Sequence, residues 1–246
     1  MKMEWKPPAD SSLWLSGSLR GLADFKSIIH DTSRFLSRHG IYKNSAISDS
    51  SYGRIVEMGE SALSEITLRA RRVLDVHLEL EKEGYDLDDS KHLARVALGH
   101  LGLLTDEIIF KSLRRSDIVE IYNTNHIQIF RSFNFFRICN YNLDEILLNE
   151  WYTLYERDEK ITCEILTQIE GHLRQSRSVT RFSVPAHIMR ERFSSTQGMF
   201  ITKFKVLASV FDGPESRAGF LCTIRGRPIS ASPKKISFLS SNRLNR

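Results

Sequence analysis

DIVEIYNTNHIQIFRSFNFFRICNYNLDEILLNEWYTLYERD, from Asp117 to Asp158, is the stretch on which the fold turns. Ile118-Val119-Glu120-Ile121-Tyr122 and Ile127-Gln128-Ile129-Phe130 are rich in β-branched and aromatic residues, and Thr124-Asn125-His126 separates them. That pattern predicts a β-hairpin. The periodicity then changes, and Phe133 to Cys139 and Leu143 to Leu148 read as short helices. Between them stands Asn140, a residue type that tolerates the left-handed conformation. No catalytic constellation accompanies these elements. A hairpin followed by clustered aromatics encloses or senses something.

Downstream, Asp158 to Leu173 reads as a longer helix that buries Ile161, Ile165, Leu166, Ile169 and Leu173. Val179 to Val184 is an expected edge strand ended by Pro185. Phe200 to Phe211 alternates as a long strand, with Phe200, Phe204, Val206 and Val210 on one side. Asp212-Gly213-Pro214-Glu215-Ser216 supplies a turn, and Arg217 to Arg225 returns as the last strand. The order is strand, strand, helices, strand, strand, strand.

Upstream, residues 1–20 show little regular pattern, Gly21 to His39 reads as a short helix, and Gly40 stops it. KNSAISDSSYG reads as a loop. From Ile55 to Glu83 a single helix is expected, ended by Gly84. Leu63, Ile66, Ala70, Val73, His77 and Leu80 follow at steps of 3, 4, 3, 4 and 3, a stripe that packs on another helix. A partner helix in the same chain or in a homodimer satisfies it equally. Asp88 or Asp89 caps the next helix, and Thr105 with Asp106 and Glu107 opens another. Four regions follow: 1–54 with one short helix, 55–116 as a helical dimerisation or signalling region, 117–226 as an α+β domain, and 227–246 as a basic tail.

Charge sharpens that division. The chain of 246 residues carries a formal +5, but residues 225–246 hold six cations and no acid, leaving the preceding part at −1. A near-neutral body lacks the fixed basic face of a nucleic-acid groove. Cys139, Cys163 and Cys222 form no Cys-x-x-Cys pair and lie in apolar runs, as expected of buried thiols in a reducing cytoplasm. No run approaches the roughly 20 apolar residues of a membrane-spanning helix, and no signal-peptide core is evident at the start.

The order of pieces from about Asp117 to Arg225 resembles a PAS domain. The resemblance rests on IVEIYNTNHIQIFRS as the first hairpin, FFRICNYNLDEIL as the helix, turn and helix start, WYTLYERDE as the lead into the long helix, and VLASVFDGPESRAGFLCTIRG as the closing hairpin. Ser132 and Asn140 stand where the family often has asparagine and glycine. The resemblance implies a five-stranded antiparallel sheet, short helices across one face and a small central cavity. A ligand pocket is then expected at Ile121, Ile129, Phe133, Phe136, Tyr141, Trp151, Ile165, Phe200, Phe204 and Phe220.

Cofactors do not follow from the resemblance. Haem would require His172, a helix-end residue read as lying on the surface. A flavin adduct would require a motif that Arg137-Ile138-Cys139-Asn140-Tyr141 does not match. His92 and His100 are two helical turns apart, too far to share one metal ion. Asp88-Asp89 and Asp144-Glu145 sit at helix starts, where capping explains them. Three non-catalytic readings remain. The first is a signalling protein whose domain binds a small ligand or protein partner and whose helices relay the change. The second is an adaptor whose core is filled by Phe133, Phe135, Phe136, Trp151, Phe200, Phe204 and Phe220. The third is a transcription regulator using the helices and tail.

Overall fold

The computed structural model describes residues 11–174, 182–192, 197–213 and 216–230; the side chains of 11–19, 182–183, 197–208 and 230 lie outside the description. In chain order the helices before the sheet are α1 (Ser11–Arg38), α2 (Asp49–Met58), α3 (Glu60–Lys82), α4 (Ser90–His100) and α5 (Ile108–Ser112). Then come β1 (Ile118–Asn123), β2 (Gln128–Arg131), α6 (Phe133–Ile138), α7 (Leu143–Leu148), α8 (Trp151–Leu154), β3 (Tyr155–Glu156) and α9 (Glu159–Arg174). The chain closes with β4 (Phe182–Val184), β5 (His187–Glu191), β6 (Gln197–Phe211) and β7 (Arg217–Ser230).

Glycines punctuate the helices. Gly40, Gly84 and Gly102 have φ of 74°, 75° and 65°. Past them, Ile41, Tyr85 and Leu103 donate to the carbonyls of Leu36, Leu80 and Leu98 at 3.0, 2.9 and 2.8 Å. This pairing closes the last turn of a helix. Gly59, at φ 81°, makes a correction: the helix expected over Ile55–Glu83 is two, because the chain turns there into a region that disfavours side chains. Two further boundaries move. The helix expected from Gly21 begins at Ser11, and α2 begins at Asp49, inside the expected loop. Ser48 caps α2 by accepting from the Ser51 N–H at 3.3 Å. Asp89 caps α4 as expected, while Thr105 does not cap and instead donates to the Ser209 carbonyl at 3.0 Å.

The chain divides into two compact units. The first comprises Met1–Arg71 with Asn142–Leu148, the second Arg72–Tyr141 with Asn149–Arg246. The division falls within α3 and assigns α7 to the first unit, so it differs from the expected boundaries at 54/55 and 116/117. In the first unit, Phe25, Ile28, Ile29, Leu36, Leu63 and Ile66 are buried. A side chain at Gly21 would meet Leu63 and Glu60 at 3.7 and 3.8 Å, so α1 passes close to the start of α3. Asp144 Oδ2 accepts from both the backbone N–H and the hydroxyl of Ser48, at 2.9 and 3.0 Å, tying α7 to the α2 cap.

The second unit is α+β, with an antiparallel sheet ordered β2-β1-β7-β6-β5-β3, and β4 paired to β6 off this path. Among the described residues seven strands stand where five were expected, because β3 and β5 were not read as strands. The other differences are small: β4 begins at Phe182, residues 179–181 lie outside the described residues, and β7 runs to Ser230. Of the tail assigned to 227–246, the first four residues are therefore strand, and 231–246 lie outside the described residues.

The hairpin turn between β1 and β2 is organised by Asn123, whose Oδ1 accepts from the N–H of Asn125 and Ile127 at 3.0 and 2.9 Å. His126, not Asn140, takes the positive φ, at 61°. Gly219 is required where β7 meets β1, since a Cβ there would overlap the Tyr122 carbonyl oxygen. Both faces of β1 are buried. Arg225 on β7 makes a paired salt bridge to Asp117 at 2.7 and 2.8 Å, which spends one of the cations counted with the tail.

Candidate ligand-binding site

Alternation along β1 sends Val119 and Ile121 to one face of the sheet and Ile118, Glu120 and Tyr122 to the other. Register sets their neighbours. Glu120 faces Arg131 on β2 and Cys222 on β7, and Tyr122 faces Gln128 and Phe220. On this face the pairings build a buried polar network. Arg131 Nε donates to Glu120 Oε1 at 3.0 Å, and Gln128 Nε2 donates to the same oxygen at 3.1 Å. The Tyr122 hydroxyl donates to Glu120 Oε2 at 2.9 Å and accepts from Gln128 at 3.0 Å. The Arg131 guanidinium lies 3.7 Å from the centre of the Phe135 ring, and the Tyr122 ring stacks on Phe220 at 5.2 Å.

Facing this network are Trp151 of α8, Tyr155 of β3, Arg157, Ile169 of α9 and Met189 of β5. Between the two walls lies a cavity of about 20 Å³, space for roughly one water-sized body. Arg157 Nη2 donates to Met189 Sδ at 2.7 Å, and its guanidinium lies 5.4 Å from the Trp151 ring centre. Four polar atoms on the lining residues are shut off from solvent and have no hydrogen-bond partner among the described residues: Arg131 Nη1, Arg157 Nη1, Trp151 Nε1 and Tyr155 Oη. Each is a donor.

Burial and charge shift the two arginines, the two phenols and the thiol. Burial, the largest single influence, opposes the charge of Arg131, but Glu120 together with Tyr122, Tyr155 and Cys139 outweighs it and holds the pKa above the usual arginine value. At Arg157 burial wins, although Tyr122 and Glu120 act the other way, and the pKa is lowered. Burial first, then Glu120, pushes the Tyr122 hydroxyl and the Cys222 thiol well up; burial and Cys139 do the same for Tyr155. The phenols and the thiol therefore stay neutral.

Of the residues expected to line a pocket, the structure brings Trp151 and Phe220 to this cavity. Ile121 is buried but points to the opposite face, and Ile129 is half-buried. Phe133 and Phe136 pack around His77, at 6.0 and 6.4 Å between ring centres. Tyr141 donates to the Leu154 carbonyl and accepts from the Arg192 N–H at 2.7 Å, a buried tie rather than a cavity wall. Ile165 is buried elsewhere on α9, and the side chains of Phe200 and Phe204 lie outside the described residues. Residues missed in the sequence are Glu120, Arg131, Tyr155 and Arg157. Their signal was weak but present: Glu120 interrupts an apolar strand on the face that carries Tyr122.

The helical stripe is consumed within the chain. Leu63, Ile66, Ala70, His77 and Leu80 are buried, and Val73 is half-buried. His77 stacks on Phe130 at 5.8 Å and its Nδ1 lies 2.6 Å from the Val73 carbonyl. Burial of these side chains within one chain is what a partner helix in the same chain predicts.

His172 is also corrected. It is buried rather than on the surface, with Nε2 2.9 Å from Ser209 Oγ, and it does not line the cavity. Burial, then the Arg217 charge, lowers its pKa. Cys139 and Cys222 are buried as expected, but Cys163 is exposed. Among the described residues no helix is long and apolar enough to cross a membrane, and no cluster of three metal-ligating side chains forms. Compared with protein-family models, with curated proteins and with solved structures, the chain matches none.

Proposed function

We propose that this chain is a non-catalytic, PAS-like sensory module that binds a small ligand between its sheet and the α8–α9 segment, and passes the change to a protein partner. The ordering of elements supports the PAS-like reading. An opening hairpin pairs with the last strand, short helices follow that hairpin, and a long antiparallel hairpin closes the domain. The observation that carries the ligand is the set of four buried donors without protein acceptors around one cavity. Leaving a buried polar group unpaired costs about 1–3 kcal/mol, so a guest that accepts from several of them gains free energy at this spot.

A ligand shifts an equilibrium only where it favours one arrangement. Arg157, a half-buried wall of the cavity, is the side chain best placed to reorganise around a guest. The Phe130–His77 stack on the other face offers a route from the sheet to α3. Native mass spectrometry of untreated protein, joined to a thermal-shift screen, tests the reading. Retained ligand or saturable stabilisation is the expected outcome. The small cavity and its aromatic lining favour a second reading, an adaptor with a side-chain-filled core. Protein that carries nothing and responds to nothing makes that second reading the better one.

A further inference from the structure

The cavity's donors and charges narrow the ligand further, on the basis of the ligand-binding reading above. Two guanidiniums and one carboxylate line it, a formal excess of one positive charge inside the protein. Glu120 is already engaged by Arg131, Gln128 and Tyr122. The four groups left over all offer hydrogens. A water molecule has two acceptor lone pairs and needs acceptors for its own hydrogens. An ionised carboxylate offers about four acceptor sites and asks for none, and guanidinium pairs with it in a fork. A halide is likewise acceptor-only. A metal cation finds the opposite of what it needs.

We propose that this cavity takes an acceptor-only monoanion, a halide or the carboxylate head of a small acid, held between Arg131 and Arg157 with Trp151 Nε1 and Tyr155 Oη completing its shell. The volume of about 20 Å³ limits the guest to a chloride-sized body, or to a carboxylate for which half-buried Arg157 gives way. Arg131 is the fixed half of the grip, because Glu120 and the Phe135 ring hold it. Arg157 is the adjustable half, because among the described residues its only hydrogen-bond partner is a thioether sulfur.

The test is thermal unfolding of the full chain titrated with sodium chloride, formate or acetate, with ionic strength held constant by gluconate. Wild type should show a saturable rise in melting temperature with at least one of the three. Chloride alone identifies the halide, and formate or acetate identifies the carboxylate. In Arg157→Gln the apparent affinity should fall by about tenfold or more, the loss of a charge-assisted contact. Should that variant fail to fold, Tyr155→Phe, which removes one donor with little change in volume, should weaken binding in the same direction. A titration that never saturates, or one equally strong in the variants, overturns the anion. Retention of a neutral molecule without any anion response overturns this inference and leaves the ligand-binding reading standing. Absence of both removes the two together.

Discussion

Ile121 and Glu120 are neighbours on one strand, both buried, and they belong to two different kinds of interior. The Ile121 face meets Phe130 and Leu221 across the sheet, and Phe130 stacks on His77 of α3. Its order comes from shape. The Glu120 face holds two arginines, a carboxylate, two phenols and a thiol around a small cavity. Its order comes from charge and hydrogen bonds. One sheet with two buried faces can thus keep a stable side and a responsive side, provided the polar side is locked where it must not move.

The largest effect should appear where the lock is broken. Glu120→Gln keeps the shape but leaves Arg131 as an uncompensated charge, and breaking a buried pair in this way costs about 3–5 kcal/mol. Urea denaturation measures it. Replacing both partners, as Glu120→Leu with Arg131→Met, should recover most of that loss, since removing both charges is often neutral. It should also remove the anion response. A loss below about 1 kcal/mol for Glu120→Gln would show that the network is not what orders this face.

Much of this contrast is hidden in the sequence for a physical reason. Alternation predicts which residues share a face, and it placed the hairpin correctly, but it does not say that the polar face is also covered. Glu120 is covered by residues of α8, β3 and α9, which lie more than 30 positions further along the chain. β5 was missed because HIMRE looks like a charged loop, while His187, Met189 and Glu191 are the buried positions. Glu191 is held there by accepting the Asn140 N–H at 2.7 Å. β3, at two residues, carries no periodicity at all. Gly40 and Gly84 were legible because they end apolar stripes, whereas the break at Gly59 lies ahead of a stripe that runs on from Leu63. A cavity was an expectation of the resemblance, but only Trp151 and Phe220 of the ten expected residues line the one found, and its polar chemistry was not foreseen.

A middle-sized effect lies at the edge of the polar face, where Ser209 on β6 meets α9. His172 pairs there with Ser209, and burial with Arg217 lowers its pKa. The unfolded chain, near the ordinary value of about 6.5, takes up the proton first as pH falls. Stability is thus fully present above that value and is lost as pH drops through it, by up to about 1.4 kcal/mol per pH unit for one proton. His187 contributes with the same sign, because burial lowers it despite the Pro185 carbonyl. His172→Gln should flatten the slope below pH 6.5 without abolishing it. A slope unchanged by that substitution would detach His172 from the pH response.

The smallest effect belongs to the apolar face. Ile121→Leu conserves volume, and such exchanges usually cost less than about 1.5 kcal/mol because neighbours repack. For a chain of this size, about 1 kcal/mol moves the melting temperature by roughly 2–4 °C. The variant should keep the anion response of the parent, since Ile121 points away from the cavity. Set beside Glu120→Gln, one residue along the same strand, it asks whether position or chemistry governs the cost. A larger loss at Ile121 than at Glu120 would mean that shape orders both faces. The responsive side would then have to be sought elsewhere in the molecule.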